Sequence, residues 1–402
     1  MIKILKSEVF KFTTLKYIEI IITAFISFFV AKIIGPSEMG KSIPILLFIT
    51  YSNFLVLGVN SALVKNYSRM KSRFESLNFI TINFQFIIIA CFLTFLLAYL
   101  FIDTKYFLFT ALISAGVLVK SFFTAYFRVK NKILILNKNN IIFSILFLFS
   151  TLLFVKDWYG YIVSWSICLW IGNALYFFDS RVFFITILKR ICLIPSKINL
   201  VFNLTEGIKL ATFGAIITLL LSIDRFIIEN LNIVNEIKGS YQLADFISMG
   251  IFVLITTVSF YYTPTWIEKI RNEKIFRELF FKRVKISFVF FPLLILVIYL
   301  AGVIFVNLFF AEYEDLLKYV ILTSILKILV SYLSIVSIFF ISFNEENVLI
   351  KSMVPLLVLY FLTILIFYTY TINIIFIPLT LSFWLLIDLM RKVHFVKKYL
   401  IK

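Results

Sequence analysis

Apolar runs of about 20 residues recur along the whole chain, and this pattern most limits what it can fold into. A run of that length crosses a ~30 Å hydrocarbon core as a helix, where every backbone N–H and C=O finds a partner inside the segment. Hydrophobic residues make up 62% of the 402 residues and charged ones only 15%. Barrel strands would alternate apolar and polar residues over ~10 positions, and that alternation is missing. The chain therefore reads as all-α, a polytopic membrane protein with about twelve spans. Their approximate limits are 15–34, 42–63, 79–102, 106–127, 140–155, 160–179, 208–230, 240–264, 285–309, 319–342, 350–369 and 372–390. Lys3, Lys6 and Lys11 precede the first span without a small-residue cleavage site, so it reads as a retained anchor.

A formal net charge of +18 invites a nucleic-acid reading, but the placement of the charges argues against it. Of the 39 Lys and Arg, thirty fall in the termini and alternate loops, six in or near the other loops, and Lys120, Arg225 and Lys327 within spans. The positive-inside rule then puts both termini in the cytoplasm of a multi-pass inner (plasma) membrane protein, with no nucleic-acid partner. The longer inward connection over 180–207 separates an N-terminal six-helix bundle, 1–179, from a C-terminal one, 208–402. Its stretch VFFITILKRICLI reads as an interfacial helix. The halves echo each other: KIIGPSEMGKSI and NLNIVNEIKGSY occupy the same joint, each with Glu (Glu38, Glu236) shortly before Gly (Gly40, Gly239).

Charges inside spans cost roughly 2.5–3.5 kcal/mol each, so they mark the candidate chemistry. Thr218, Ser222, Arg225 and Glu229 share one face of span seven, beside Asp224. Gln242 and Asp245 share a face of span eight at a matching depth below the connecting loop. Two readings stay open there. One is a structural ion pair joining two helices. The other is an anion contact through Arg225, with Asp224 or Asp245 changing protonation. Lys327, Ser331 and Ser334 make a stripe at the middle of span ten, where snorkelling is hard, so Lys327 is a candidate cavity-lining cation. Lys120, with Thr124 and Arg128 on its face, lines the pathway or snorkels to the cytoplasmic interface. Glu19 heads a stripe with Thr23 and Ser27, and is a coupling carboxylate or a partner for Lys16. Asn53 and Asn60, seven apart, line the pathway or hydrogen-bond neighbouring helices, as do Asn83 and Gln85.

Other motifs are weaker. GPSEMGKS, from Gly35 to Ser42, matches a phosphate-binding loop. That loop works between a buried strand and a soluble helix, and here two membrane helices flank it, so it reads as a tight turn. Cys91, Cys168 and Cys192 are an odd number without C-x-x-C spacing, and suggest neither a disulfide nor a metal site. His394, the only histidine, reads as a solvated tail residue. No nucleophile, general base or cofactor motif is evident, so neither catalysis nor a cofactor is expected.

The runs AKIIGPSEMGKS, LGVNSALVKNYSR and IDRFIIENLNIVNEIKGSYQLADF resemble lipid-linked oligosaccharide flippases of the MOP superfamily, in particular Wzx-like O-antigen and polysaccharide exporters. The most specific element is the Asp224–Arg225 pair with Gly239, Tyr241 and Ala244 downstream. The resemblance implies a MATE/MOP-like, V-shaped pair of six-helix bundles around a central cationic cavity. It implies an undecaprenyl-pyrophosphate oligosaccharide moved from the cytoplasmic to the outer leaflet by alternating access, for O-antigen, lipopolysaccharide or another surface polysaccharide. A proton or other ion gradient would couple, with membrane lipids and polysaccharide polymerase machinery as further partners. Asp224 and Arg225 match the family's pair in span seven, whereas Lys120 and Lys327 rest on position alone. Two other classes compete. A membrane-embedded polymerase or ligase would want a large outer loop, and these are short. A MATE-like drug or cation exporter would want an acidic surplus, where here both signs are mixed.

Overall fold

The computed structural model describes residues 8–67, 72–190, 197–343, 345–370 and 373–401. Among them there is no strand. The helices are α1 (Glu8–Lys41), α2 (Ile43–Ser52), α3 (Val59–Asn66), α4 (Arg73–Phe101), α5 (Phe107–Val129), α6 (Ile133–Phe154), α7 (Trp158–Asp179), α8 (Arg181–Leu188), α9 (Lys197–Glu229), α10 (Asn235–Asn272), α11 (Lys274–Val289), α12 (Phe291–Phe309), α13 (Leu316–Ser342), α14 (Glu346–Tyr370) and α15 (Phe376–Ile401). Ten are long and apolar enough to cross a membrane, and α2 with α3, bent by 50°, form a broken span or a re-entrant loop. The last expected span falls on α15, which carries Asp388, Arg391 and Lys392 from its midpoint on. The chain is thus an all-α, multi-pass membrane protein. Phe92, Phe101 and Phe178 are each more than 70% exposed, as bilayer-facing side chains would be.

Local chemistry sets several ends. Ser72 caps α4 by accepting the Glu75 N–H, and Asp157 caps α7 by accepting the Gly160 N–H. The expected span over 285–309 divides at Phe290 into amphipathic α11 and apolar α12, with a proline in the first turn of α12, where its missing N–H costs nothing. The second span breaks where Leu57 (φ 50°) and Gly58 (φ 71°) turn left-handed. That break separates Asn53, in the 3-10 turn Asn53–Val56, from Asn60 on α3. Their seven-residue spacing therefore does not lie on one continuous helical face.

Two compact units emerge: Met1–Ile34 with Pro44–Ala215, and Gly35–Ile43 with Ile216–Lys402. The core of the first is aromatic, with Phe84, Phe122, Phe123, Phe127 and Tyr176 all buried. The stretch expected at the interface contributes α8, whose Phe184 packs edge-on against Phe84 and Phe177. In the same unit a Cβ on Gly58 would lie 2.1 Å from the Gly207 carbonyl oxygen, so backbone meets backbone there.

In the second unit α13 is the most buried span and α12 the least. Ser248 of α10 meets Thr323 and Ser324 of α13 in a buried hydroxyl cluster, and such small side chains let two helices approach closely. The segment Gly35–Ile43 belongs to this unit, and there the two echoing stretches meet. A Cβ on Gly239 would lie 1.8 Å from the Pro36 carbonyl oxygen, and one on Gly40 would lie 2.2 Å from that of Asn235. The phosphate-loop lookalike is therefore not the expected tight turn but a kink at Gly35 (φ 75°) after which α1 runs on to Lys41, where Lys41 pairs with Glu38 at 2.7 Å.

Candidate functional site

The hydroxyl cluster fixes the register of α10 on α13, and that register assembles the site. Asp245 lies three residues before Ser248, and Lys327 three after Ser324, so both project from the contact stripe. The Lys327 Nζ lies 2.6 Å from Asp245 Oδ1, and the Arg225 Nη1 lies 3.2 Å from Asp245 Oδ2. Both cations also donate to the carbonyl oxygen of Leu221 on α9, Lys327 at 2.5 Å and Arg225 at 3.4 Å. Three helices thus meet at one carboxylate held between two cations. Lys327 is wholly buried, Asp245 2% exposed and Arg225 7% exposed, so solvent screens these charges little.

Asp224 faces other partners. Its Oδ2 accepts from the Tyr241 hydroxyl at 2.6 Å, and its Oδ1 accepts from the Arg225 backbone N–H at 2.9 Å. The second acidic group is therefore occupied, and Asp245 alone takes the two cations. Ser222 and Ser331 are buried and donate to carbonyls one turn earlier on their own helices, those of Thr218 and Lys327. Gln242 differs. It is fully buried, and neither its amide oxygen nor its nitrogen has a protein partner. The Ser240 and Tyr360 hydroxyls are buried and unpartnered too. A buried polar group without a protein partner calls for water or a ligand.

The remaining candidates belong to the first unit. Lys120 is half-buried with its ammonium 4.9 Å from the Phe143 ring centre. Glu19 pairs with Lys16 at 2.8 Å. Asn60 donates to Ser121 at 2.8 Å, while exposed Asn53 donates only to the Thr50 carbonyl at 3.3 Å. Cys91 and Cys168 are free thiols, and Cys192 lies outside the described residues. Among the described residues no group of His, Cys, Asp and Glu is placed to hold a metal.

Sequence reasoning passed over Tyr360, which sits in an apolar run without polar periodicity, and the Leu221 carbonyl, which no side-chain pattern reveals. The hydroxyl of Tyr241 was within reach. Tyr241 stands one turn before Asp245, on the helix facing Asp224.

Long apolar helices in two units, the second of which holds the buried charge node, define a polytopic membrane protein. More narrowly, the fold is similar to that of solved transporters described as MOP superfamily members. No family model matches the sequence, and neither does any curated protein. Solved structures do match. An inward-facing multidrug resistance MATE family transporter of the MOP superfamily aligns with a TM-score of 0.68 at 14% identity, over 95% of this chain and 94% of that one. The lipid II flippase MurJ, in an inward closed conformation, aligns with a TM-score of 0.69 at 18% identity, over 96% of this chain and 87% of that one. A MOP superfamily transporter from Pyrococcus furiosus, reported for the reverse polarity of its binding pocket, aligns with a TM-score of 0.61 at 12% identity, over 98% and 95% of the two chains.

Proposed function

We propose that this chain is a flippase that carries an undecaprenyl-pyrophosphate-linked oligosaccharide from the cytoplasmic to the outer leaflet for surface polysaccharide synthesis such as O-antigen. The observation that carries this reading is the pair of buried cations, Arg225 and Lys327, sharing Asp245 within membrane helices. A pyrophosphate bears about two negative charges and cannot enter hydrocarbon bare. Two cations already desolvated by the protein can take it over with charge-assisted hydrogen bonds, while the prenyl tail stays in lipid.

In the resting state Asp245 occupies the place of the phosphate. Protonating Asp245, or displacing it with the head group, frees both cations, and restoring the pair expels the head group. A proton or ion gradient would drive the cycle through this carboxylate. Asp224, tied to Tyr241, holds the α9 end of the node in place. Gln242, with Ser222 and Ser331 nearby, offers the polar contacts that a hydrated head group needs. Lys120, with Glu19, Asn53 and Asn60, supplies a second polar station on the first unit. MurJ, a lipid II flippase of similar fold, supports a lipid-linked cargo. The polymerase machinery would take over the delivered repeat unit.

A deletion strain tests this. It should accumulate lipid-linked repeat units on the cytoplasmic face and lose surface polysaccharide, and neither Arg225→Ala nor Lys327→Ala should restore it. Normal export in the deletion strain would overturn the proposal.

A second reading, drug or cation export, is favoured by one observation. The chain covers 94% of the MATE transporter's length but 87% of MurJ's. Raised sensitivity of the deletion strain to cationic dyes, with unchanged polysaccharide, would select it.

A further inference from the structure

We propose that the second unit holds one anionic phospholipid in a cavity between α11, α13 and α15, away from the charge node. The cavity has a volume of about 340 Å³, within the ~300–1,000 Å³ typical of small-molecule sites. Its walls are apolar, with Val284 and Phe288 from α11, Val336 from α13 and Val393 from α15. Polar groups gather at Lys285, His394 and Tyr332. The Tyr332 hydroxyl donates to the Ser287 carbonyl at 2.7 Å and ties α11 to α13. Lys285 rests its ammonium 4.8 Å from the Phe281 ring centre and, among the described residues, pairs with no carboxylate. His394 is exposed beside it.

The surroundings match a lipid surface. Phe280, Phe281 and Val284 bury one face of α11 in the protein. The opposite face exposes Ile275, Leu279 and Ile286, flanked by exposed Lys274, Lys282 and Arg283. A helix apolar on both sides and basic along its margins lies in the membrane interface. Charge asymmetry assigns this end to the cytoplasm, where a bilayer is most anionic. Across α15 a smaller cavity of about 200 Å³ adds Lys351 and Arg391, while Lys392 is held by Asp388. An acyl chain fits the apolar trough, and a phosphate head group fits Lys285 and His394. The inference is independent of what the chain transports.

Native mass spectrometry of the purified full-length protein tests it, with phosphatidylglycerol, phosphatidylethanolamine or undecaprenyl phosphate added in turn. One phosphatidylglycerol should be retained in preference to phosphatidylethanolamine. Lys285→Ala should weaken that retention about five-fold, the effect of one cation near an anionic surface. Val393→Trp, which fills the trough, should abolish it, and Lys282→Ala, outside the cavity, should leave it unchanged. Equal retention of phosphatidylglycerol by Lys285→Ala and wild type would overturn the proposal. So would equal retention of the two phospholipids. Preference for undecaprenyl phosphate over phosphatidylglycerol would also overturn it, because the cavity would then serve a polyprenyl phosphate.

Discussion

The ammonium of Lys327 lies 2.6 Å from Asp245 Oδ1, and both side chains are sealed from solvent. Arg225 holds the other oxygen of the same carboxylate, so removing Asp245 strands two buried cations, whereas removing Lys327 leaves an intact Arg225–Asp245 pair. Asp245→Asn should therefore be the more destabilising change, by about 3 kcal/mol. The two substitutions should also couple by at least ~1 kcal/mol in a double-mutant cycle of Asp245→Asn with Lys327→Met, read from thermal unfolding in detergent. Additive losses would show that the pair carries no energy of its own.

Arg225 reaches Asp245 and the Leu221 carbonyl from one planar head group. Lysine offers the charge without the fork. Arg225→Lys should fold normally but support less surface polysaccharide than wild type, and more than Arg225→Ala, when each complements a deletion strain. Full complementation by Arg225→Lys would mean that only the charge matters.

Gln242 has no protein partner to lose. Replacing a buried unsatisfied amide with an apolar side chain of similar size is neutral or favourable to stability. Gln242→Leu should keep or raise the unfolding temperature while lowering export. A lower unfolding temperature would reveal a structural hydrogen bond instead.

The crossing of the two echoing segments leaves no room for a side chain. Gly239→Ala should reduce folded yield, because its Cβ would sit 1.8 Å from the Pro36 carbonyl oxygen and backbone must shift. Gly250, with nothing within 4 Å of its Cβ position, is the control. Gly250→Ala should gain up to ~1 kcal/mol from helix propensity. Equal yields from the two variants would show that the crossing yields easily.

How much could be read from the sequence varies residue by residue. The span pattern was legible because hydrocarbon demands long apolar helices. The meeting of Arg225 with Asp245 was legible because both stand within a few turns of one short loop, and the long arginine side chain spans the difference in depth. The partner of Lys327 was not, since the register of α13 on α10 depends on which of many serines and threonines interlock. The bend in the second span depends on Leu57 adopting a conformation its side chain disfavours, which no periodicity reports. The two glycine-marked loops showed an echo, but that Gly239 packs on Pro36 is a matter of tertiary placement. His394, read as a solvated tail residue, is exposed but also helps line a cavity with residues over a hundred positions away.

In the proposed cycle a phosphate head group exchanges with Asp245 on Arg225 and Lys327. The most direct test is movement of a fluorescent polyprenyl-pyrophosphate oligosaccharide between leaflets of liposomes holding the purified protein. The wild type should move it, and Lys327→Met, still folded, should not. Equal movement by the two proteins, or none by either, would rule that exchange out.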